Sequence, residues 1–257
     1  MPLGRKTATL TNVKVDIPPT LLEKLGAARS VAVLTGAGIS AESGVPTFRD
    51  SQTGLWARYS PEDLATPHAF RRNPRMVWEW YQWRRQLVRE SAPNAGHLAL
   101  VRMEALFSDF QIITQNVDGL HQRAGSTRVV ELHGNLFRNL CFCEGSELEH
   151  IIEAEEPPPQ CPDCGGPVRP GVVWFGEELP QEPLDRALNA CAEAEVVLVV
   201  GTSGMVHPAA GLPALAKRSG ALVVEINPEP TALSETVDYC LHAKAGSVLC
   251  EILERLA

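Results

Sequence analysis

The sequence predicts an α/β fold in which a doubly wound, Rossmann-like parallel sheet carries a helical insertion and a small cysteine-bearing module. Short apolar runs alternate with longer segments of helical periodicity, which is the pattern of parallel strands covered by helices on both faces. A glycine-rich turn follows the first apolar run directly, as in many doubly wound folds. At 257 residues, the chain is long enough for one large domain with an inserted module.

Each predicted strand is a run of Val, Ile or Leu with turn residues near its ends. These runs cover residues 31–35, 111–114, 129–132, 196–200 and 222–226. The predicted helices between them cover 21–29, 97–107, 184–192 and 209–219, and several have Gly or Asn near an end. The Rossmann-like domain is therefore expected to comprise residues 1–54, 92–137 and 171–257.

Two segments interrupt this alternation and are expected to form a second, smaller domain at the edge of the sheet. Residues 55–91 are rich in Trp and predict a helical insertion. Residues 138–170 contain closely spaced cysteines and several prolines. Because such cysteines in a reducing compartment usually ligate metal rather than form disulfides, this segment predicts a zinc-binding module.

Composition and charge disfavour several classes of protein. The formal net charge of −8 argues against a nucleic-acid partner, because phosphate contacts need clustered Lys and Arg. No apolar run approaches the roughly twenty residues of a membrane helix, so no membrane partner is expected. The N-terminal segment lacks an apolar core followed by a small-residue cleavage site, which predicts a cytoplasmic protein.

The turn Gly36-Ala37-Gly38 predicts a nucleotide site at the carboxyl end of the first strand. Its glycines would let the backbone approach a pyrophosphate, and the helix that follows would offer free N–H groups. Taken alone the pattern is weak, since glycine-rich turns after strands are common. The segment 42–49 strengthens the prediction of a nucleotide site, because its Gly and Pro residues indicate a loop that could cover a ligand. No acidic residue ends the second strand, so hydride transfer is the weaker NAD chemistry.

Further short blocks follow this turn along the chain: Gln115-Asn116-Val117-Asp118, His133-Gly134, Val173-Trp174-Phe175-Gly176-Glu177 and Gly201-Thr202-Ser203. With the turn and the segment 43–49, they resemble the sirtuin family of NAD-dependent protein lysine deacylases over nearly the whole chain. Segments 63–67 and 81–84 most resemble the branch that removes succinyl and malonyl groups. The resemblance implies that NAD is a co-substrate and that acyl-lysine proteins or peptides are the partners.

The resemblance also implies which residues bind NAD. The pyrophosphate and nicotinamide-ribose region would contact the first turn and the loop after it, namely Gly36, Ala37, Gly38, Ser40, Glu42, Phe48 and Arg49. The nicotinamide ribose and carboxamide would contact Gln115, Asn116, Val117 and Asp118. The adenosine half would contact Gly201, Thr202, Ser203, Asn227, Pro228, Glu229 and Ala245. Several of these positions follow predicted strands, where open α/β sheets bind ligands.

For catalysis, the resemblance implies that His133 is the general base, assisted by Asn116 and Asp118. The acyl oxygen would attack the ribose carbon as nicotinamide leaves, and His133 would take a proton from a ribose hydroxyl. An unperturbed imidazole titrates at roughly pH 6.5, which suits this role. The products would be free lysine, nicotinamide and O-acyl-ADP-ribose. A lone histidine at a strand end is more often a structural polar residue, and only the family context reverses that preference.

Two segments are expected to bind the acyl-peptide. The strand-like segment 171–176 predicts an exposed edge on which a peptide adds as a strand, with Val173, Trp174, Phe175, Gly176 and Glu177 as contacts, although a core strand with a buried Trp fits the same residues. Tyr81 and Arg84 lie three apart in a predicted helix over 75–90, so they share one face. Together they suit a distal carboxylate, and the small Ala65 would leave room for it.

The zinc ligands are expected to be Cys141, Cys143, Cys161 and Cys164. Cys161 and Cys164 have the spacing of a zinc knuckle. The other half departs from the family pattern, because only one residue separates Cys141 from Cys143 and Glu144 stands at the place of the second ligand. Zinc held by four thiolates, zinc held with a carboxylate, and no zinc all remain open at this stage, with a bound structural zinc preferred.

Two other functions compete with deacylation. A mono-ADP-ribosyltransferase would use the same NAD site but would transfer ADP-ribose to protein. A non-catalytic NAD sensor would need no base beside the ribose, so the presence of His133, Asn116 and Asp118 disfavours it.

Overall fold

The computed structural model describes residues 15–47, 59–60, 64–152 and 155–256. Within these ranges the strands are β1 (Ser30–Thr35), β2 (Asp109–Thr114), β3 (Val129–Glu131), β4 (Gly134–Cys141), β5 (Val168–Val172), β6 (Val196–Val200), β7 (Leu222–Ile226) and β8 (Tyr239–Leu241). Six of them form one parallel sheet in the order β3-β2-β1-β6-β7-β8. This is the order of a doubly wound dinucleotide-binding sheet, and its switch point lies between β1 and β6. The predicted fold class is confirmed.

Helices cover both faces of the sheet. The α-helices of the described ranges are α1 (Pro19–Ala27), α2 (Ala37–Ala41), α3 (Pro67–Arg72), α4 (Pro74–Glu90), α5 (Ala95–Glu104), α6 (Leu120–Ala124), α7 (Gln181–Glu193), α8 (Leu212–Arg218) and α9 (Ala245–Leu256), of which α3 and α4 pack away from this sheet. Successive residues of β1 point to opposite faces: Val31 and Val33 pack into a core with Leu100 of α5, whereas Leu34 packs into a second core with Leu212 of α8. Both faces of the sheet are therefore buried, which explains the unbroken apolar runs in the sequence.

The smaller domain combines α3 and α4 with an antiparallel pair of strands, β4 and β5. Asn73 caps α4 by accepting a hydrogen bond from the Met76 N–H, and Pro74 occupies the first helical turn, where it needs no N–H partner. Arg85 of α4 is buried and donates to the carbonyl oxygens of Leu136 and Arg138 in β4. This side chain holds the helical insertion against the strand pair.

Four details differ from the sequence predictions, the first being the edge strand β8, which no predicted run includes. The segment 171–176 is not one strand, because β5 ends at Val172 and the chain then turns, with Gly176 at φ +87°. The predicted helix over 209–219 is divided into a short 3₁₀ turn, Ala209–Gly211, and α8. Strands β4 and β5 extend across the predicted domain limits at 137 and 171.

None of the helices in the described ranges has both the length and the apolarity to cross a membrane.

Candidate active site

The turns that follow β1 and β6 pack tightly against each other at the switch point of the sheet. The N–H of Gly36 donates to the Val200 carbonyl at 3.0 Å, and the N–H of Gly38 donates to the Gly201 carbonyl at 2.8 Å. A Cβ at Gly36 would lie 2.8 Å from the Gly201 oxygen, and one at Gly38 would lie 2.7 Å from the Gly201 Cα. These glycines are therefore required by the packing of the two turns, a reason that the sequence pattern did not reveal.

A buried polar cluster lies beside this pair of turns. Ser40 of α2 donates to a carboxylate oxygen of Asp118 at 2.7 Å, and the side-chain amide of Asn116 donates to the Gly36 carbonyl at 3.1 Å and to the Ser40 hydroxyl at 3.2 Å. The other Asp118 oxygen accepts the N–H of Leu120. Three predicted residues from two separate parts of the sequence thus form one hydrogen-bonded group with the glycine-rich turn.

Hydrogen bonds also connect the residues that follow β2, β6 and β7 at the carboxyl edge of the sheet. The Gln115 side chain donates to the Thr202 hydroxyl at 3.0 Å, and the Asn227 side chain donates to the Thr202 carbonyl at 3.0 Å. Thr202 is buried, and Ser203 beside it is half-buried. The predicted contacts of the two halves of NAD therefore lie along one continuous edge of the sheet.

The remaining predicted nucleotide contacts lie around this edge. Glu42 follows α2 and accepts the N–H of Gly246 at 2.9 Å, which ties the turn after β1 to the first turn of α9, where Ala245 is buried. Pro228 and Glu229 are exposed after β7. Ala37 is half-buried at the start of α2, and the Val117 carbonyl accepts the N–H of Leu136 at 2.8 Å. Phe48 and Arg49 lie outside the described residues.

His133 lies between β3 and β4, half-buried, with its ring held by the main chain. Its Nδ1 lies 3.0 Å from the Gln115 carbonyl oxygen, which can only accept, so Nδ1 carries the hydrogen and Nε2 keeps its lone pair. Burial lowers the pKa of His133 below 6.5, partly offset by the carbonyl hydrogen bond, which raises it. The ring is therefore neutral at pH 7, and Nε2 is its basic nitrogen.

The segment Val173–Glu177 is a braced turn rather than a strand. Glu177 accepts the N–H of Trp174 at 2.8 Å and forms a two-pronged ion pair with the buried Arg169, whose guanidinium carbon lies 3.5 Å from the centre of the Trp174 ring. Trp174 is 2% exposed, so its side chain belongs to the core. Val173 keeps its N–H bonded to the His133 carbonyl, and the Phe175 N–H bonds to Ala65. Glu177 is thus a brace, and the exposed members of this turn are Phe175 and Gly176.

Tyr81 and Arg84 lie close together beside the base of this turn. The Tyr81 hydroxyl accepts the Trp174 indole N–H at 2.9 Å, and burial raises the pKa of Tyr81 to about 12. Arg84 is half-buried with its guanidinium carbon 5.2 Å from the centre of the Trp80 ring. Burial lowers the pKa of Arg84, while the nearby charges of Tyr81 and Asp118 raise it. Ala65 is buried in the same apolar cluster as Tyr81.

The cysteine module consists of two turns with matching hydrogen bonds. In one, the Cys141 N–H bonds to the Ser146 carbonyl at 2.9 Å and the Gly145 N–H bonds to the Cys141 carbonyl at 2.9 Å. In the other, the Cys161 N–H bonds to Gly166 at 2.8 Å and the Gly165 N–H bonds to Cys161 at 2.9 Å. Gly145 and Gly165 have nearly equal φ angles, +72° and +70°. Glu144 therefore occupies the same place in the first turn as Cys164 in the second.

The donor atoms of this module suit a zinc ion. The sulfurs of Cys141, Cys161 and Cys164 and a carboxylate oxygen of Glu144 all lie within 4.8 Å of one another. Burial raises the pKa of the Cys141 thiol, but hydrogen bonds from the Glu144 and Cys143 N–H groups and from the Cys164 and Cys161 thiols together outweigh it, so the net pKa is lowered toward the thiolate that binds metal. The predicted set differs at one position, because this group contains Glu144 in place of the exposed Cys143.

Sequence reasoning missed several residues that support the site. Thr35 and Thr114 end β1 and β2 and are hydrogen-bonded to each other, and Thr35 is also hydrogen-bonded to His121. Their position at carboxyl strand ends next to the switch point was a usable signal. Arg169 had no such signal, because nothing local in the sequence links it to Glu177.

Relatives and solved structures agree with this geometry. The Sir2 family matches residues 36–208. An NAD-dependent protein deacylase of Aquifex aeolicus is 53% identical over 228 residues, which cover 88% of this chain and 95% of the relative. The crystal structure of a Sir2 homolog–NAD complex superposes with a TM-score of 0.88 at 45% identity, covering 94% of each chain. A Sir2 homologue variant in complex with 2′-O-acetyl ADP ribose gives a TM-score of 0.86 at 45% identity, covering 93% of this chain and 96% of that one. With its doubly wound sheet, its glycine-rich switch point and these matches, the chain belongs to the Sir2 family.

Proposed function

We propose that this protein is an NAD-dependent protein lysine deacylase in which His133 is the general base. The observation that carries the proposal is the fixed tautomer of His133, whose Nδ1–H bonds to the Gln115 carbonyl and leaves Nε2 basic. A backbone carbonyl in this place orients the ring, while burial lowers its pKa and so keeps Nε2 unprotonated near neutral pH. The deacylase relative and the complexes with NAD and with 2′-O-acetyl ADP ribose support the same chemistry.

The described residues fit NAD along the sheet edge. The two glycine turns approach each other closely at the switch point, and Gln115, Thr202 and Asn227 present polar groups at the adjoining strand ends. When bound, NAD would supply the ribose carbon that receives the acyl oxygen as nicotinamide leaves. Asn116 and Asp118 would hold the nicotinamide end, since both are already fixed by Ser40. His133 would accept a ribose hydroxyl proton at Nε2.

The acyl group is proposed to be succinyl or malonyl in preference to acetyl. The Tyr81 hydroxyl accepts the Trp174 N–H, so its own hydrogen remains available to donate, and the charge of Arg84 lies close enough to affect the pKa of Tyr81. A guanidinium and a phenol hydroxyl together suit a distal carboxylate. The bracing of Trp174 by Arg169 and Glu177 fixes the partner of Tyr81 and so preorganises this pair.

The acyl-peptide is proposed to lie along the turn Val173–Glu177. Phe175 and Gly176 are exposed there, and the Phe175 N–H is already paired with Ala65, so this turn is held between the smaller domain and His133. A structural zinc is proposed in the cysteine module, held by Cys141, Cys161 and Cys164 with one further ligand. Zinc there would stabilise the smaller domain and take no part in the reaction.

Product analysis tests this function against its two competitors. The protein is incubated with NAD and acetyl-, malonyl- or succinyl-lysine peptides, and the products are separated, identified and quantified by mass spectrometry. Deacylation requires nicotinamide, free lysine peptide and O-acyl-ADP-ribose in equal amounts. Protein that carries ADP-ribose instead would establish a transferase, and NAD binding without any turnover would establish a sensor.

A further inference from the structure

Four polar side chains are buried behind the Asn116–Asp118 loop, and the proposed reaction does not use them. Thr35 and Thr114 are register partners at the carboxyl ends of β1 and β2, His121 lies in α6 and His97 lies in α5. None is more than 2% exposed. A buried polar group without a hydrogen-bond partner lowers the stability of the fold, so a partner is expected for each polar atom of these side chains.

The directions of these bonds assign the tautomer of each histidine. Thr35 donates its only hydroxyl hydrogen to Thr114 at 2.8 Å, so the 3.0 Å contact between Thr35 and His121 needs a hydrogen on His121 Nε2. His121 Nδ1 is then a bare acceptor. At the other end, the Asn94 N–H donates to His97 Nδ1 at 3.3 Å, so the His97 hydrogen is on Nε2.

The two ring nitrogens left over are complementary. Among the buried side chains of the described residues, three atoms lack a hydrogen-bond partner, and two of them are His97 Nε2 and His121 Nδ1. By the assignment above, the first is a donor and the second an acceptor. Their rings are neighbours, with centroids 4.9 Å apart at an interplanar angle of 60°. The opposite assignment for His121 would place two unpaired N–H donors beside each other.

Both rings are neutral. Burial, together with the proximity of His97, lowers the pKa of His121 to about 3. Burial also lowers the pKa of His97 below 6.5, although the charge of Asp118 raises it. A neutral donor facing a neutral acceptor is the arrangement that a hydrogen bond needs, whereas an imidazolium pair would repel.

We infer that one bridging water pairs His97 Nε2–H with His121 Nδ1 and thereby completes a hydrogen-bond chain that positions Asn116. The chain runs from Asn94 through His97 and His121 to Thr35 and Thr114, and its last member accepts the Asn116 N–H at 3.0 Å. With its side chain bonded to Gly36 and Ser40, Asn116 is fixed at both backbone and side chain. His97 and His121 are thus positioning residues for the nicotinamide end, an inference that rests on the proposed function.

The first test reads the tautomers in the unaltered protein. Nitrogen-15 NMR of histidine-labelled protein, assigned with His97→Asn and His121→Gln, is recorded from pH 7 to pH 5. Both rings are expected to carry the hydrogen on Nε2 at pH 7, and His121 is expected to remain neutral throughout. A hydrogen on Nδ1 of either ring at pH 7, or an imidazolium signal from His121 in this range, would overturn the chain.

The second test reads the effect on the nicotinamide end. His121→Leu should raise the KM for NAD and the nicotinamide inhibition constant roughly tenfold, the loss expected for one buried hydrogen bond. His121→Gln keeps an N–H for Thr35 and should recover most of this loss. Ser126→Ala is the matched control, since it removes the third unpaired buried atom and should change neither constant.

The outcomes separate this inference from the proposed function. If His121→Leu folds, deacylates and keeps both constants, the hydrogen-bond chain does not position Asn116. The inference is then wrong, while the proposed function stands. If the unaltered protein shows no NAD-dependent deacylation, the function fails first, and the NMR result alone decides whether the chain exists.

Discussion

At the scale of single residues, the site depends on which nitrogen or oxygen holds each hydrogen. His133 offers Nε2 as a base because its Nδ1–H donates a hydrogen bond to the Gln115 carbonyl. The Trp174 indole N–H can only donate, so the Tyr81 hydroxyl accepts that bond and keeps its own hydrogen for another acceptor. Both assignments come from fixed neighbours with only one possible role, a carbonyl in the first case and an indole N–H in the second.

The pH profile of the reaction tests the state of His133. Because burial lowers its pKa below 6.5, the neutral base dominates above that value, and kcat/KM for an acyl-peptide should be constant at neutral pH. As the pH falls through the pKa, the ring becomes protonated and kcat/KM should drop about tenfold per unit. A profile that loses half its activity above pH 6.5 would show that another group limits the rate.

Substitution of Arg84 tests the choice of acyl group. Arg84→Met removes the cation proposed for the distal carboxylate, so kcat/KM for a succinyl-peptide should fall. The fall should correspond to a loss of about 2 to 5 kcal/mol in transition-state stabilisation, the range for truncating one partner of a buried charge pair. The value for a matched acetyl-peptide should change little or rise. Arg75→Met is the control, because Arg75 lies exposed on the same helix and pairs with Glu79. An equal loss on both peptides would assign Arg84 to the fold or to the NAD site.

At the scale of elements, the cysteine module shows how a turn can keep its shape while one ligand changes. The turns at Cys141 and Cys161 share their hydrogen bonds and their glycine conformations, so the fourth position of each turn faces the same centre. Zinc accepts carboxylate oxygen as well as thiolate, so Glu144 fits the chemistry of this centre.

Zinc analysis of three variants tests which residue is the fourth ligand. The unaltered protein should hold about one zinc per chain, and a chelator should lower its melting temperature, because zinc binding contributes folding free energy. Glu144→Ala should lose zinc at a lower chelator concentration, Glu144→Cys should retain it, and Cys143→Ala should match the unaltered protein. Zinc lost from Cys143→Ala but kept by Glu144→Ala would assign the thiol instead.

Five strands of the parallel sheet were predictable from the sequence, whereas its edge strand β8 and the turn after β5 were not. An apolar run such as Val196–Val200 is buried on both faces, and its local pattern alone predicts a strand. The segment 171–176 has a similar pattern, but its shape depends on an ion pair between Glu177 and Arg169 that no local pattern encodes. Cys143 was named from spacing, whereas the turn geometry groups Glu144 with the other donors.

At the scale of the whole molecule, the sheet order brings together parts of the chain that are far apart in sequence. The turns at Gly36 and Gly201 touch because β1 and β6 are neighbours, and Gln115 reaches Thr202 across the same edge. The family resemblance predicted which blocks share the site. Their contacts, including the close packing that excludes a Cβ at Gly38, follow only from the three-dimensional order of strands.

The central claim, that His133 is the base of an NAD-dependent deacylation, is tested most directly by His133→Ala. Deacylation of an acyl-peptide should fall by about two to four orders of magnitude, the usual contribution of a general base, while NAD affinity measured by calorimetry is retained because the glycine turns are untouched. His150→Ala, which removes an exposed histidine of the cysteine module, should leave both quantities unchanged. Deacylation by His133→Ala near the rate of the unaltered protein would contradict the account.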